Sequence, residues 1–253
     1  MEIDKIYGIY SFPKSGNTWM RHIVSNLIGC ENAYDTVPDV YSDNIWNNPV
    51  KINSDNVVFY KSHSRSILAN AHGRAFEHDH IFYIVRNPLD VFLSQLNYVS
   101  DNVTSDQNIC VPIASVDSVL QAGNLNLFFG AFCVFGTLQP KFADAGNWFE
   151  NAEFWKQKSE ANPDRVTYLR YEDLLENGVE EVAKVAEKIG VERSRVEFAY
   201  QQSNSQTRPN GKFFWKQKSG NYLEYLPLEL VHRFWYLNQD RLKRLGYADL
   251  IPS

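Results

Sequence analysis

An α/β fold, built on one parallel β-sheet flanked by helices, is the class this sequence predicts, on three observations. Strand-like apolar runs recur at Tyr7–Phe12, Val57–Tyr60, Ile81–Val85 and Val166–Arg170; helical periodicities fill the intervals; and the first run passes through a tight loop straight into a helix start. Runs apolar at successive positions suit strands buried on both faces, and strands separated by crossover helices lie parallel. At 253 residues and 44% hydrophobic, with no linker-like or low-complexity tract, residues 1–253 are read as a single domain with one sizeable core.

The first junction reads Ser11-Phe12-Pro13-Lys14-Ser15-Gly16-Asn17-Thr18-Trp19. A glycine for close backbone approach, one lysine and the hydroxyls of Ser15 and Thr18 lie beside the unpaired N–H groups of a helix start, a combination suited to a phosphate-like anion. The common nucleoside-triphosphate loop, G-x-x-x-x-G-K-[ST], does not fit, because Lys14 precedes Gly16 and no glycine lies five residues before it. The following helix places Trp19, Ile23, Val24, Leu27 and Ile28 on one face.

Next comes an acidic stretch in which Glu31, Asp35, Asp39, Asp43 and Asp55 face only Lys51. Such a run reads first as a solvated loop, with attraction of a cationic small molecule as the second reading. The run Val57–Tyr60 then delivers Lys61-Ser62-His63 to the C-terminal edge of the sheet, where an imidazole can accept a proton. Ile81–Val85 ends at Arg86, whose guanidinium suits a strand-end salt bridge or a phosphate clamp, and Asn87-Pro88 starts a helix that puts Val91, Gln95 and Tyr98 at related positions.

The intervals Ser100–Pro112 and Ser203–Tyr225 lack a period and read as loops, while Leu125–Phe135 is too short to span a bilayer and reads as a buried or pocket-lining helix. A helix from Val179 to Ile189 stops at Gly190, and Pro227 opens a last helix that closes at Gly246. A net charge of −5 without a basic run argues against nucleic acid. Glu2, Asp4 and Lys5 precede the first strand with no apolar leader, and with no membrane span expected the chain reads as cytoplasmic. Three widely spaced cysteines, Cys30, Cys110 and Cys133, read as buried unpaired thiols in a reducing compartment.

Phe12-Pro13-Lys14-Ser15-Gly16-Asn17-Thr18-Trp19, Lys61-Ser62-His63 and Arg86 with Ser94 eight residues on resemble, in order, three motifs of the cytosolic-type sulfotransferases. The resemblance implies a 5′-phosphosulfate loop at Lys14 to Thr18 for the donor 3′-phosphoadenosine-5′-phosphosulfate (PAPS). It likewise implies contact of Lys14 and Lys61 with the transferred group, His63 as base, and a 3′-phosphate clamp at Arg86 and Ser94. Tyr171, in Tyr168-Leu169-Arg170-Tyr171-Glu172-Asp173-Leu174, and Trp19 would touch the adenine. The product would be adenosine 3′,5′-bisphosphate (PAP), and no metal is implied.

Departures from the family pattern come late in the chain. Gly146-Asn147-Trp148-Phe149-Glu150-Asn151 is similar to a segment whose histidine lines the acceptor pocket, but here that position is Asn151. The family's Arg-Lys-Gly-x-x-Gly becomes Trp215-Lys216-Gln217-Lys218-Ser219-Gly220, keeping Lys216 and Gly220 and losing the arginine. Either Lys216 with Lys218 supplies that charge, or donor binding is weaker. The family's dimerisation motif has no counterpart, Leu223–Leu228 standing in its place, so the oligomeric state stays open. The expected acceptor is a small polar or cationic specialised metabolite bearing a hydroxyl or amine, held by Asn151 and by Asp35 or Asp39. The rivals are a phosphotransferase with a magnesium-binding aspartate at Asp90 or Asp173, and a PAP-binding module without catalysis.

Overall fold

The computed structural model describes residues 2–43, 45–47, 49–102, 116–121, 123–138, 143–208 and 216–250. Five strands form one sheet in the order β2-β3-β1-β6-β7. They are β1 (Lys5–Ser11), β2 (Val50–Ile52), β3 (Asp55–Ser62), β6 (His80–Val85) and β7 (Val166–Arg170), while β4 (Asn70–Ala71) and β5 (Arg74–Ala75) make a small separate hairpin. β1 runs parallel to both β3 and β6, and β6 parallel to β7. The edge strand β2 is antiparallel to β3, a departure from the all-parallel expectation.

Alternate residues of the central strands feed two cores. Tyr10, Val58, Tyr60, Ile81, Tyr83 and Val85 pack on one side, and Tyr7, Ile9, Val57, Phe59, Phe82 and Ile84 on the other. The continuous apolar runs therefore mark strands covered on both faces. Helices α3 (Pro88–Asn102), α5 (Leu125–Phe135), α6 (Trp148–Ala161) and α11 (Leu228–Arg244) supply the first core. Helices α1 (Asn17–Ile28), α8 (Gly178–Ile189) and α9 (Val196–Gln206) supply the second. The short helices α2 (Ala33–Thr36), α4 (Val116–Gln121), α7 (Tyr171–Glu176) and α10 (Tyr222–Tyr225) complete the order.

From β1 the chain moves outward to β3 and then returns across β1 to β6, so the winding reverses at β1. The loops leaving β1, β3 and β6 gather around that switch point, where open α/β sheets bind ligands.

Several expectations are corrected. Residues 100–102 continue α3, and residues 103–112 of that expected loop lie outside the described residues. The interval Ser203–Tyr225 is shorter as a loop than expected, because α9 runs to Gln206 and α10 begins at Tyr222. Only one face of α5 is buried, through Leu125, Phe128, Phe129 and Phe132, while Leu127, Val134 and Phe135 are exposed. Cys30 and Cys133 are free thiols, but Cys30 is only half-buried and Cys133 is exposed, and Cys110 lies outside the described residues. Among the described residues no helix is long and apolar enough to cross a membrane.

Candidate anion and acceptor site

The loop after β1 turns tightly, with the Ser15 N–H donating to the Phe12 carbonyl at 3.2 Å. Lys14 (φ 72°) and Gly16 (φ 109°) both adopt left-handed backbone conformations. A Cβ on Gly16 would stand 2.8 Å from the Tyr171 ring, so position 16 requires glycine on both counts. Gly16 is also the N-cap of α1, with no side chain capping the first turn. The free N–H groups and positive end of a 12-residue helix therefore face the loop. Ser15 Oγ, Asn17 Oδ1, Trp19 Nε1 and Arg86 Nε are buried without hydrogen-bond partners among the described residues. The donors among them, on Ser15, Trp19 and Arg86, fit a site shaped for a polar anion.

One cavity of about 250 Å³ joins these elements, lined by Lys14, Gly16, Asn17, Thr18, Trp19, Lys61, His63, Arg86, Ser94, Tyr171 and Lys216, all expected from the sequence. Arg21, Tyr98, Thr207 and Gln217 also line it and had been given no role. Gln217 donates its amide to Thr207 Oγ1 at 3.2 Å, closing a wall between the end of α9 and the segment before α10. The Lys14 ammonium lies 4.6 Å from the centre of the Tyr98 ring. Ser15 is fully buried beneath the loop.

His63 donates Nδ1–H to the Ser11 carbonyl at 2.8 Å. Because a carbonyl only accepts, the proton sits on Nδ1 and Nε2 carries the lone pair. Burial, with the neighbouring Lys61 ammonium, holds the imidazole pKa down to about 3, so the ring is neutral at physiological pH. Lys61 pairs with Asp39. Segment 38–40 seals this pair by adding to the end of β3, the Lys61 N–H donating to Pro38 at 2.8 Å and the Val40 N–H to Lys61 at 2.9 Å. Burial would raise the Asp39 pKa, but Lys61 turns this into a net lowering.

Across the cavity the Arg86 guanidinium stacks 4.3 Å from the Tyr171 ring centre and donates to the Lys218 carbonyl at 2.9 Å. Tyr171 in turn meets Trp19 edge-on at 5.3 Å. Asp90, on the first turn of α3, accepts the backbone N–H groups of Gly220 at 2.8 Å and Tyr222 at 3.1 Å, anchoring the late segment beside Arg86. Gly220 is therefore a backbone anchor rather than part of the cavity lining. Lys216 and Lys218 both pair with Glu224, and only Lys216 reaches the cavity wall. Trp215 lies outside the described residues.

Helix α6 braces both ends of the site from behind. Trp148 donates its indole N–H to the Arg86 carbonyl at 3.1 Å, Asn151 its amide to the His63 carbonyl at 3.2 Å, and Trp155 its indole N–H to the Ser64 carbonyl at 3.1 Å. Asn151 also donates to Ala145 at 2.8 Å and accepts from the Tyr83 hydroxyl at 2.9 Å. It is fully buried, so its expected place on an acceptor-pocket wall is corrected to a brace beneath the His63 loop.

The acidic stretch is corrected likewise. Asp39 is committed to Lys61, Asp55 to Lys5, and Asp35 accepts from the Asn32 amide at 2.6 Å. The cavity lining holds five cationic side chains and no carboxylate among the described residues, so the cationic acceptor loses its support. Asp90 is occupied by backbone donors and Asp173 lies 3.5 Å from Arg170. No cluster of three metal-ligating side chains occurs among the described residues.

Fold and cavity together define an α/β protein whose phosphate-type loop lies at the switch point of its sheet. A family model described as a sulfotransferase domain matches residues 7–246, and the chain belongs to that family. Cytosolic sulfotransferase 14 of Arabidopsis thaliana is 25% identical over 205 residues, 72% of this chain and 52% of the relative, so the match spans about half of that protein's length. Cytosolic sulfotransferase 16 of the same plant is 23% identical over 278 residues, 94% of this chain and 76% of the relative. Among solved structures, a mouse sulfotransferase complexed with PAP matches with a TM-score of 0.59 at 14% identity, covering 96% of this chain and 86% of that one. A retinol dehydratase in complex with androsterone and PAP matches with a TM-score of 0.63 at 14% identity, covering 94% and 80%. At such identities the two structures speak for the fold alone.

Proposed function

We propose that the protein is a PAPS-dependent sulfotransferase that moves a sulfuryl group to a hydroxyl or amine of a small polar acceptor. The observation that carries this reading is the convergence on one cavity of an uncapped helix start with Lys14, a neutral His63, and Arg86 with Ser94. The 5′-phosphosulfate would lie against the first turn of α1 and Lys14, and the 3′-phosphate against Arg86, Ser94 and Lys216. Tyr171 and Trp19 would flank the adenine. That relatives of the same fold are described in complex with PAP supports this donor.

In the proposed reaction His63 Nε2 takes the acceptor proton as the acceptor oxygen or nitrogen forms its bond to sulfur. The bond from sulfur to the 5′-phosphate oxygen breaks, and PAP leaves. Lys14 and the helix N–H groups stabilise the charge that grows on that leaving oxygen, and need no reorganisation to do so. Lys61, tied to Asp39, orients the His63 loop and keeps the imidazole neutral. Cationic acceptors are not part of the proposal, since no carboxylate lines the described cavity. A cytosolic location goes with the reading.

Incubation with PAPS, without added magnesium, and a panel of alcohols, phenols and amines tests it, sulfated product being detected by mass. In parallel PAP should raise the melting temperature by mass action and ADP, lacking the 3′-phosphate, far less. Equal stabilisation by PAP and ADP, with no sulfated product, refutes the reading.

A further inference from the structure

We infer that Arg21 forms an anion-binding subsite on the acceptor side of the cavity, and that the acceptor therefore carries an acidic group, a carboxylate, sulfate or phosphate, beside the hydroxyl or amine to be sulfated. The inference rests on the sulfuryl-transfer reading above and deepens it. It begins from the position of Arg21 on α1, four residues after Asn17 and so on the same face of the helix. Long helical side chains lean toward the N-terminus, which carries this guanidinium back to the cavity that it lines with Lys61 and His63.

Its surroundings do not account for its charge. Arg21 is only 8% exposed, yet its polar contacts are a long 3.4 Å hydrogen bond to the Tyr34 carbonyl and a stacked position 4.4 Å from the Tyr34 ring centre. Nε is buried with no partner, and Arg21 forms no ion pair among the described residues. The acid nearest in effect, Asp39, is held by Lys61. A guanidinium taken out of water without a counter-ion is costly, and burial accordingly lowers its pKa. Proteins retain such a group where a ligand completes it.

The donor does not need it. Lys14 and the start of α1 face one anionic end, and Arg86, Ser94 and Lys216 the other, while Arg21 stands a turn further along α1, toward Tyr34 and the His63–Lys61–Asp39 corner. Arg21 is the cation left over for an anion that enters from the acceptor side. Its planar fork suits a carboxylate or sulfate bidentately.

The test compares hydroxy acids with their methyl esters as acceptors, in the wild-type protein, Arg21→Gln and Arg21→Lys. Wild type should prefer the acid of each pair, and Arg21→Gln should lower the acid-to-ester ratio of kcat/KM at least about 30-fold, the size expected for breaking one partner of a buried charge pair. Arg21→Lys should recover part of the ratio. Calorimetric titration of the hydroxy acid into PAP-loaded protein reads the same subsite without turnover, so failure of sulfation leaves it testable. The ligand-free melting temperature of Arg21→Gln should be equal to or above that of wild type, because an unpaired buried charge has gone. Three results overturn the inference. They are an acid-to-ester ratio indifferent to Arg21, a loss of PAP affinity as large as the loss of acid affinity, which gives the anion to the donor, and a lowered melting temperature with an unchanged ratio, which makes Arg21 a brace for Tyr34.

Discussion

Replacing Asp90 by asparagine isolates the anchor that holds the late segment against Arg86. Asp90 accepts two backbone N–H bonds, at 2.8 Å from Gly220 and 3.1 Å from Tyr222. Asparagine keeps the shape and one accepting oxygen but turns an N–H₂ group toward the other donor, so one charge-assisted bond is lost. A hydrogen bond to a charged group contributes about 1.5–3 kcal/mol, which corresponds to roughly 10- to 150-fold in the equilibrium that keeps the segment docked. Docking brings Lys216 to the cavity and the Lys218 carbonyl to Arg86. PAP affinity should fall by up to that factor, because binding then draws on a smaller competent population. Asp90 also faces the Arg86 charge, and its neutralisation leaves Arg86 freer to attract phosphate, which places the result toward the lower end of the range. Isothermal titration with PAP and ADP is the assay, and ADP, which has nothing for this segment to hold, should lose less than about threefold. Equal losses for the two nucleotides, or a PAP affinity within about twofold of wild type, would refute the reasoning.

Two further predictions follow from the histidines. His63→Ala should lower kcat by about two to four orders of magnitude with an alcohol acceptor while PAP affinity holds, and the kcat/KM profile of the wild type should show no acid limb near pH 6.5, since His63 in the free protein titrates at about 3. A limb at 6.5 that disappears in the variant would contradict this. Burial also brings His78 and His80 down to about 4, so between their ordinary value of 6.5 and about 4 these rings bind protons only when the chain unfolds. Stability from this source is fully present above pH 6.5 and declines on acidification, opposed in part by Asp90 and Glu172, whose pKa values burial raises. Urea unfolding midpoints measured from pH 7 to 4.5 should fall, with proton uptake on unfolding, and a flat series would show the histidines to be charged in the native protein.

The strands were legible because each central one is apolar on both faces, which leaves few alternatives to a covered parallel sheet. β2 was not, since Val50-Lys51-Ile52 is three residues long and owes its existence to pairing with Asp55–Val57. At the site, Lys14, His63 and Arg86 were legible because each lies within three residues of a strand's end, at the edge where side chains must meet. Arg21 was hidden for the opposite reason. On an amphipathic helix an arginine reads as solvent-facing, and the one available signal was its four-residue spacing from Asn17. Thr207 and Gln217 could not be found from local pattern, because they join the cavity only through tertiary packing of α9 and the segment beyond it. Asn151 and Asp39 were seen as chemistry-bearing residues, but which partner each satisfies is a matter of three-dimensional neighbours.

Trp148, Asn151 and Trp155 attach one helix to the carbonyls of Arg86, His63 and Ser64, residues that belong to two different strand ends. In a rigid helix the rise between these attachment points is fixed, so the ring proposed as base and the guanidinium proposed as nucleotide clamp share a common ruler. Their separation is then independent of the loops on the opposite side of the cavity. An in-line transfer tolerates little misplacement of its reacting groups. A fold that calibrates the distance from behind is free to change what enters from the front, and new acceptors can be accommodated by substitutions that never disturb the spacing on which the chemistry depends.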